Sequence, residues 1–481
     1  MVRTRFAPSP TGYMHIGNLR TALYAWLFAR NQGGTFILRI EDTDQAREVA
    51  GAVDIIYNTL KEVGMTWDEG PDVGGPVGPY VQSQRKDIYA KYAKELVESG
   101  HAYYCFCTKE ELDNRREQAK ERGESFKYDK HCLHLSKEEI QKKLDAGIPC
   151  VIRQNIPESG ETSFTDEIFG TITVENSTLD DNVLIKADGF PTYNFANVVD
   201  DHLMGITHVM RGMEYLSSTP KYNLLYEAFG WEIPKYVHLT PIMRDATHKL
   251  SKRDGDASYA DFREKGYLME AIVNYIALLG WNPGTEQEKF TIPELIEAFS
   301  LKGLSKSPAI FDPLKMKWLN GEYIRALSAE DFGKNAEVWY TQAGVAGMDR
   351  SILNRLLQPR VETFSDIPEK VAFLVERPAL SAELFSNKKN KVTPELSLEL
   401  LPLALNAFDG LKEWSEASIQ SAMTQLVEST GHKTGAVFWP VRVALSGMAV
   451  TPGGPVEIAA LLGRDESLRR LASAIEFLKG L

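Results

Sequence analysis

The chain has few cysteines and no long apolar run. Only four of its 481 residues are cysteine, which argues against a disulfide framework and favours a reducing compartment. The first residues lack the charged-then-apolar pattern of a secretion signal, and the apolar stretch at 23–29 is too short to span a bilayer. We therefore expect a cytoplasmic protein without a membrane segment.

A net positive charge is also missing. The formal net charge is −12, which taken alone points away from a polyanionic partner. The charge is uneven, because residues 331–481 hold 16 Lys and Arg against 18 Asp and Glu. Nucleic-acid affinity depends on local basic faces and not on the sum. The basic clusters at 388–391 and 469–470 are therefore compatible with RNA docking.

The order of strand-like and helix-like segments predicts the fold class. Up to about residue 250 the two kinds alternate, and afterwards the apolar spacing is helical to the end. The predicted elements are strands at 2–6, 36–40, 183–186 and 208–211 and helices at 19–32, 83–98 (capped by Ser83), 268–279 and 292–299. This order predicts an α/β protein with a Rossmann-like parallel sheet, followed by an all-α C-terminal region.

Two short motifs carry the chemistry. Residues 7–18 read APSPTGYMHIGN, so that a Pro/Gly turn joins a strand to a helix N-terminus, where free backbone N–H groups make a phosphate site. His15 can donate to a phosphate oxygen, and Gly17 lets a flat base approach the backbone closely. Taken alone, this segment also fits an ordinary turn with a surface histidine.

The second motif lies about 230 residues downstream, where residues 249–253 read KLSKR. It sets Lys249 and Lys252 three positions apart, with the hydroxyl of Ser251 between them. Lysines of this kind stabilise the negative charge on a departing pyrophosphate. Together the two motifs supply what an enzyme needs to hold ATP.

Further motifs follow in a fixed order. They are residues 39–44 (RIEDTD), 64–71 (GMTWDEGP), 188–202 (DGFPTYNFANVVDDH) and 318–321 (WLNG). With the two ATP motifs they resemble the class I aminoacyl-tRNA synthetases, and within that class the bacterial glutamyl-tRNA synthetase family. The resemblance covers essentially the whole chain. Asn18 and Arg253 depart from the wider class, which has a second histidine and often a serine there, but both variants are familiar in this family.

The resemblance implies an activity and a domain plan. The activity is ATP-dependent ligation of L-glutamate to the 3′ end of tRNA(Glu) through a glutamyl-adenylate, with Mg²⁺ accompanying ATP. The plan is a catalytic region at 1–325, with an acceptor-end insertion at about 86–180 and a helical linker at about 255–325, and an anticodon-binding domain at 326–481. No obligatory protein partner is evident.

The resemblance also assigns site residues. Those with a catalytic or ATP-binding role are His15, Lys249, Lys252, Gly17, Glu214 and Ser251. Those that bind glutamate are Arg5, Ser9, Glu41, Tyr193, Asn197 and Arg211. Bidentate arginine contacts read a planar carboxylate best, and strand ends are where ligands of α/β proteins bind. An ordinary surface ion pair remains the alternative for each charged residue, above all for Glu214.

The cysteines predict a metal site independently of the resemblance. Cys105 and Cys107 are followed by Cys132 and His134, so three thiolates and one imidazole arrive as two close pairs across a loop. This set matches a tetrahedral structural Zn²⁺ site. Unrelated reduced thiols are the alternative. Some bacterial members of the family carry the same spacing in the acceptor-end insertion.

The resemblance extends to tRNA choice. Residues 357–361 (LQPRV) resemble the family's anticodon-reading site, with Arg360 at the position that favours a cytosine over a guanine at the third anticodon base. This implies an enzyme that discriminates against tRNA(Gln). The alternative is that Arg360 only caps a helix or pairs with Glu362 or Asp366.

Four other functions are disfavoured by the sequence. A small-molecule ligase of the same superfamily would not need the long helical region after Gly321. A truncated relative that glutamylates a modified tRNA base would end near the catalytic body, and a glutaminyl enzyme would end in β-barrels. A non-catalytic RNA-binding paralogue would have lost part of His15, Lys249 and Lys252.

Overall fold

The protein forms two compact units. The structure, a computed structural model, describes residues 1–44, 49–124, 126–250 and 258–481. The first unit consists of Met1–Phe262 and Ile272–Asp312, and the second of Arg263–Ala271 and Pro313–Leu481. The domain limits inferred from the sequence stay predictions.

The first unit contains both strands and helices. Its strands are β1 (Arg3–Phe6), β2 (Thr35–Leu38), β3 (Ala102–Cys105), β4 (Val151–Gln154), β5 (Glu161–Asp166), β6 (Gly170–Glu175), β7 (Val183–Ile185), β8 (His208–Gly212), β9 (Lys235–Leu239), β10 (Ile242–Met243) and β11 (Ala309–Ile310). The helices up to residue 300 are α1 (Ile16–Asn31), α2 (Ala52–Glu62), α3 (Lys86–Glu98), α4 (Lys109–Glu121), α5 (Lys137–Asp145), α6 (Tyr193–Leu203), α7 (Thr219–Phe229), α8 (Tyr259–Glu264), α9 (Met269–Leu278) and α10 (Ile292–Ala298). Helices α8 and α9 contribute residues to both units.

Parallel strands position the candidate site. β1 pairs with β2, and β8 pairs with β9, both in parallel. The N–H of Thr207, just before β8, donates to the carbonyl of Arg3 at 2.9 Å, which places β1 beside β8. β9 also borders β5, in a sheet of order β6-β5-β9-β8. The carboxyl ends of β1, β2, β8 and β9 meet at one edge, the place where ligands bind in α/β proteins.

One predicted helix start is wrong. Ser83 does not cap α3, because a 3-10 helix at Gln82–Arg85 comes first. Buried contacts hold this turn: Gln82 Nε2 and Arg85 Nε donate to the carboxylate of Asp200 at 2.9 and 2.7 Å. The backbone N–H of Ser83 donates to Asp42, so Ser83 is a donor there and not a cap.

The inserted region between α3 and α6 has its own antiparallel sheet, of order β3-β4-β7. Its helices α4 and α5 begin at capping boxes, where Thr108 and Ser136 accept from the N–H three residues on and a glutamate returns the bond. Both helices are rich in charged residues and exposed, and Ala119 is the one buried residue of the two.

The second unit is all-α, as predicted. It is built from α11 (Pro313–Ala326), α12 (Ala329–Gln342), α13 (Arg350–Leu357), α14 (Ile367–Val375), α15 (Pro394–Asp409), α16 (Glu416–Thr430), α17 (Thr434–Ser446), α18 (Pro455–Leu462) and α19 (Arg464–Lys479). Arg470 of α19 is buried and donates to the carbonyls of Phe373, Leu374 and Leu445, satisfying the open ends of α14 and α17. None of the helices that the structure describes is long and apolar enough to cross a membrane.

Candidate active site

A cavity of about 450 Å³ lies at the carboxyl ends of β1, β2, β8 and β9. The predicted site residues on its wall are Arg5, Ser9, His15, Gly17, Glu41, Tyr193, Arg211, Glu214 and Lys249. Asn197 does not line it; the side chain is buried and donates to the carbonyl of Tyr193 at 2.6 Å. Ser251 and Lys252 lie outside the described residues.

His15 stands at the junction between the Pro/Gly turn and α1. Its Nδ1 accepts from the N–H of Gly17 at 3.0 Å and caps the helix, which therefore begins at Ile16 rather than at Leu19. Because Nδ1 is an acceptor, the neutral ring carries its proton on Nε2, the donor that a phosphate oxygen needs. A Cβ at position 17 would lie 3.2 Å from Nδ1, so glycine also protects this cap.

The flanks of the second motif meet the first. His15 forms a short antiparallel bridge with Ser258, and the N–H of Tyr259 donates to the carbonyl of Met14. Lys249, exposed, lies on the wall of the same cavity as His15. Residues about 230 positions apart in the sequence thus face one space.

A buried ion-pair network underlies one wall. Arg39 donates to Glu41 at 2.9 Å and to Asp201 at 2.8 Å, and Arg5 makes a bidentate pair with Asp201 at 3.0 and 3.2 Å. Burial raises the pKa of Glu41, although Arg39 and Arg5 oppose the shift. Burial also favours the neutral form of Asp201, but Arg5 and Arg39 outweigh it and lower the pKa of Asp201. The network therefore holds in place two side chains that line the cavity, the cation Arg5 and the anion Glu41.

Sequence reasoning assigned no role to Arg39 or Asp201. A signal was present, since the acidic pair at 200–201 interrupts the otherwise apolar run of α6. Two adjacent carboxylates on a buried helix require cationic partners. Their partners come from β1, β2 and the segment before α3, which local sequence does not reveal.

Arg211, at the end of β8, is surrounded by aromatic rings. Its guanidinium carbon lies 4.7 Å from the ring centre of Tyr222, 5.3 Å from that of Tyr215 and 5.5 Å from that of Tyr236. The ring of Tyr193 packs on Tyr215 at 4.9 Å. Within the described ranges no carboxylate forms an ion pair with Arg211. Cation–π contacts hold the side chain while its charge stays available to a bound anion.

Glu214 lies on the cavity wall after β8 and is exposed. Its carboxylate folds directly against Gly212, where a Cβ would collide with both carboxylate oxygens. Glycine at 212 is thus required for this position of Glu214. The carboxylate is close enough to the cavity to meet a polar group of a ligand. Among the described residues Glu214 forms no close ion pair, although Arg20 is near enough to interact with it electrostatically.

The three cysteines of the predicted metal site do come together. Their ligand atoms lie within 4.8 Å of one another, and Cys107 Sγ is 3.7 Å from Cys132 Sγ. Hydrogen bonds from Cys132, Tyr128 and Arg153 lower the pKa of Cys105 despite its burial. This arrangement favours a thiolate, the form that binds a metal. Three closely spaced sulfur atoms are a donor set suited to a soft or borderline divalent ion.

The structure does not bring His134 into this cluster. Side chains two positions apart share a face only in extended backbone, whereas residues 131–134 form a turn that leaves His134 exposed. Tyr128 is there instead: its Oη lies 3.2 Å from Cys105 Sγ and 3.3 Å from Cys107 Sγ. The described geometry therefore offers three sulfurs and a phenol oxygen.

Arg360 lies on a separate cavity of about 670 Å³ in the second unit. It is exposed, and its Nη1 donates to the carbonyl of Leu356 in the last turn of α13. In the part of the chain that the structure describes, it pairs with neither Glu362 nor Asp366, and Asp366 pairs with Lys317 at 2.9 Å. The capping contact is real, but it uses only one of the five guanidinium N–H donors.

Comparison with known proteins identifies the class and then the family. Residues 1–318 match the catalytic domain of tRNA synthetases class I (E and Q), and residues 315–475 match an anticodon binding domain. Glutamate–tRNA ligases of Clostridium tetani and Clostridium kluyveri are each 59% identical over 478 residues, covering 99% of this chain and 98% of theirs. A solved glutamate tRNA ligase from Elizabethkingia meningosepticum, in complex with its amino acid, superposes with a TM-score of 0.90 at 37% identity and 99% coverage of both chains. The chain therefore belongs to the bacterial glutamate–tRNA ligase family.

Proposed function

We propose that the protein ligates L-glutamate to the 3′ end of tRNA(Glu), using ATP and passing through glutamyl-adenylate. The observation that carries this is the single cavity whose wall combines the ATP motifs, His15 and Lys249, with Glu41 and Arg211, which are suited to an ammonium and a carboxylate. The family relationship supports the same reaction.

Each residue then has a role that its geometry supports. Glu41 receives the α-ammonium of glutamate, and Arg211, assisted by Arg5, receives the side-chain carboxylate. The α-carboxylate attacks the α-phosphate of ATP in line, so that a C–O–P bond forms and pyrophosphate leaves. His15 Nε2 and Lys249 donate to the phosphates as negative charge shifts. Ser9, Tyr193 and Asn197 complete the polar lining or support it, and Mg²⁺ enters with ATP.

The remaining ATP contacts are assigned from the sequence motifs. We place Gly17 and Glu214 against the nucleoside and Ser251 and Lys252 against the phosphates. Lys252→Ala is expected to lower adenylate formation by about 10² to 10³, as for the loss of one preorganised charge donor. The measurement is ATP–pyrophosphate exchange, run with each amino acid and with and without tRNA. tRNA affinity should hardly change, and near-normal exchange in the variant would refute the assignment.

We propose that the metal is a structural Zn²⁺ held by Cys105, Cys107 and Cys132, with Tyr128 as the fourth donor. Cys132→Ser or chelation should remove one metal equivalent and loosen residues 105–134, because structural zinc contributes folding energy locally. The parallel sheet should survive. Elemental analysis of protein purified without chelators tests this, and protein without zinc would contradict it.

Two matched variants identify the fourth ligand of the metal. Tyr128→Phe should lower zinc content or affinity, whereas His134→Ala should leave both near the normal level. The opposite pattern would restore His134 as the ligand and show that the turn at 131–134 rearranges when the metal binds.

We propose that Arg360 reads the third anticodon base and makes the enzyme discriminate against tRNA(Gln). Guanidinium donors suit the acceptors of cytosine, whereas guanine presents a donor N–H on its Watson–Crick edge. The exposure of Arg360 on a cavity flanked by Lys317 and Lys370 supports this role. Arg360→Gln should therefore narrow the preference for tRNA(Glu) by about 10-fold or more, the scale of one lost base contact.

The measurement compares charging of the two tRNA transcripts by the wild type and by Arg360→Gln. Lys334→Gln, at an exposed position on α12 paired with Glu330, provides the control for removing one surface charge. Equal wild-type charging of both tRNAs would refute discrimination. An unchanged ratio in Arg360→Gln would show that another residue reads the base.

A further inference from the structure

Arg211 is held from behind by neutral groups. Its Nε donates to Nε2 of His238 at 3.2 Å, and its Nη2 donates to Oγ1 of Thr219 at 3.0 Å. Nε–H and one Nη2–H form one edge of the planar fork, so this edge is used. The other edge, made of Nη1 and the second Nη2 hydrogen, has no hydrogen-bond partner among the described residues, and the side chain lines the cavity.

The contact with Arg211 requires one particular form of His238. Since Nε–H of Arg211 is a donor, Nε2 must be a lone-pair acceptor, and the ring proton must sit on Nδ1. Oδ2 of Asp166 imposes this tautomer by accepting from His238 Nδ1 at 2.7 Å. Burial lowers the pKa of His238, which keeps the ring neutral although Asp166 opposes the shift.

Asp166 is itself fixed in place. Its Oδ2 also accepts from the backbone N–H of His238 at 3.0 Å, and its Oδ1 accepts from the N–H groups of Ile168 and Phe169, each at 2.9 Å. Asp166 and His238 are 1% and 0% exposed, so neither touches a ligand directly. Parallel strands align the chain of contacts, because His238 of β9 lies opposite Arg211 of β8 and β9 borders β5, which ends at Asp166.

We propose that Asp166 and His238 are positioning residues that aim Arg211 at the side-chain carboxylate of the amino acid and so favour glutamate over glutamine. The proposal rests on the proposed role of Arg211 in glutamate binding. Arg5 is neutralised by Asp201, whereas the partners of Arg211 are neutral and its charge has no counter-ion in the part of the chain that the structure describes. A glutamate carboxylate supplies that counter-ion and two acceptors for the open edge. A glutamine amide supplies one acceptor and no charge, so the arrangement rejects it.

Three variants test whether His238 and Asp166 orient the guanidinium of Arg211 or only fill space beside it. His238→Leu removes the acceptor, His238→Gln offers an amide oxygen near the place of Nε2, and Asp166→Asn turns an NH₂ towards Nδ1 and so forces the proton to Nε2. In aminoacylation with glutamate and ATP varied separately, His238→Leu and Asp166→Asn should lower kcat/KM for glutamate by about 10- to 100-fold, the scale of a misplaced binding group. The KM for ATP should stay within about twofold, and His238→Gln should recover most of the loss.

A double-mutant comparison distinguishes failure of this proposal from failure of the role of Arg211. In a protein that already carries Arg211→Ala, adding His238→Leu should cause no further loss of kcat/KM for glutamate. If Arg211→Ala leaves the use of glutamate unchanged, the role of Arg211 fails and the positioning role with it. If Arg211→Ala is severe but His238→Leu and Asp166→Asn are close to the wild type, or if their losses add in full to that of Arg211→Ala, the positioning proposal alone is overturned. Thermal melting confirms folding, and should His238→Leu not fold, Asp166→Asn and His238→Gln decide by the same criteria.

Discussion

Arg211→Ala is expected to lower kcat/KM for glutamate by about 10³-fold, the largest effect of a single substitution in the amino-acid pocket. The side-chain carboxylate would enter a cavity walled by Tyr193 and Tyr215 without its bidentate partner. An anion left unpaired in such surroundings is costly. Selectivity for glutamate over glutamine should collapse with it, because the charge that distinguishes the two substrates would no longer be read.

The measurement is steady-state aminoacylation with glutamate and glutamine as competing substrates. Arg211→Lys keeps the charge but loses the planar fork and should fall between Arg211→Ala and the wild type. Arg116→Ala, which removes an exposed arginine paired with Asp113 on α4, is the matched control and should behave normally. Unaltered selectivity in Arg211→Ala would show that another cation reads the substrate.

The residues proposed to bind the nucleotide could be picked out from the sequence because their signals are local. The Pro/Gly turn, His15 and Gly17 lie within one strand–turn–helix segment, and the KLSKR motif at 249–253 is contiguous. Their chemistry needs backbone N–H groups and nearby cations, both of which short sequences encode. Only the proximity of the first motif to the flanks of the second could not be read from the sequence and is seen in the fold.

The residues that support the proposed glutamate pocket could not be predicted in the same way. His238 meets Arg211, and Asp166 meets His238, only through the parallel register of β5, β8 and β9; the partners are 27 and 72 residues apart along the chain. No sequence motif surrounds Asp166 or His238, and a histidine within an apolar strand is usually interpreted as a core residue. Long-range pairing of this kind is set by the fold and not by local spacing.

The metal site shows the opposite case, in which the structure follows a local signal only in part. The spacing of Cys132 and His134 fits a ligand pair on extended backbone, but the segment turns and His134 points outward as an exposed residue. Tyr128 lies four residues before Cys132, and no sequence motif pointed to it as a ligand. Spacing rules carry an assumed backbone conformation, and the turn violates that assumption.

Arg39→Leu is expected to destabilise the first unit by about 3–5 kcal/mol, the usual cost of removing one partner from a buried ion pair. Arg39 is fully buried, and its loss would leave Glu41 and Asp201, both also buried, with too little positive charge. The measurement is urea unfolding followed by a signal from the first unit. Glutamate affinity should fall as well, since Glu41 loses the donor that holds it.

The matched control is Arg30→Leu, at an arginine of α1 that pairs with Asp68 at 2.7 Å but is partly exposed. A pair of that kind contributes about 1 kcal/mol or less. The pH dependence adds a second test. Arg39 lowers the pKa values of Glu41 and Asp201, so without it both values would be higher than in the wild type. The cost of the substitution would therefore be present at neutral pH and would fade as the pH falls and the two carboxyls bind protons. The difference in stability between the wild type and Arg39→Leu should therefore shrink on acidification. A cost no greater than that of Arg30→Leu, or a difference that grows in acid, would show that the buried network does not depend on Arg39.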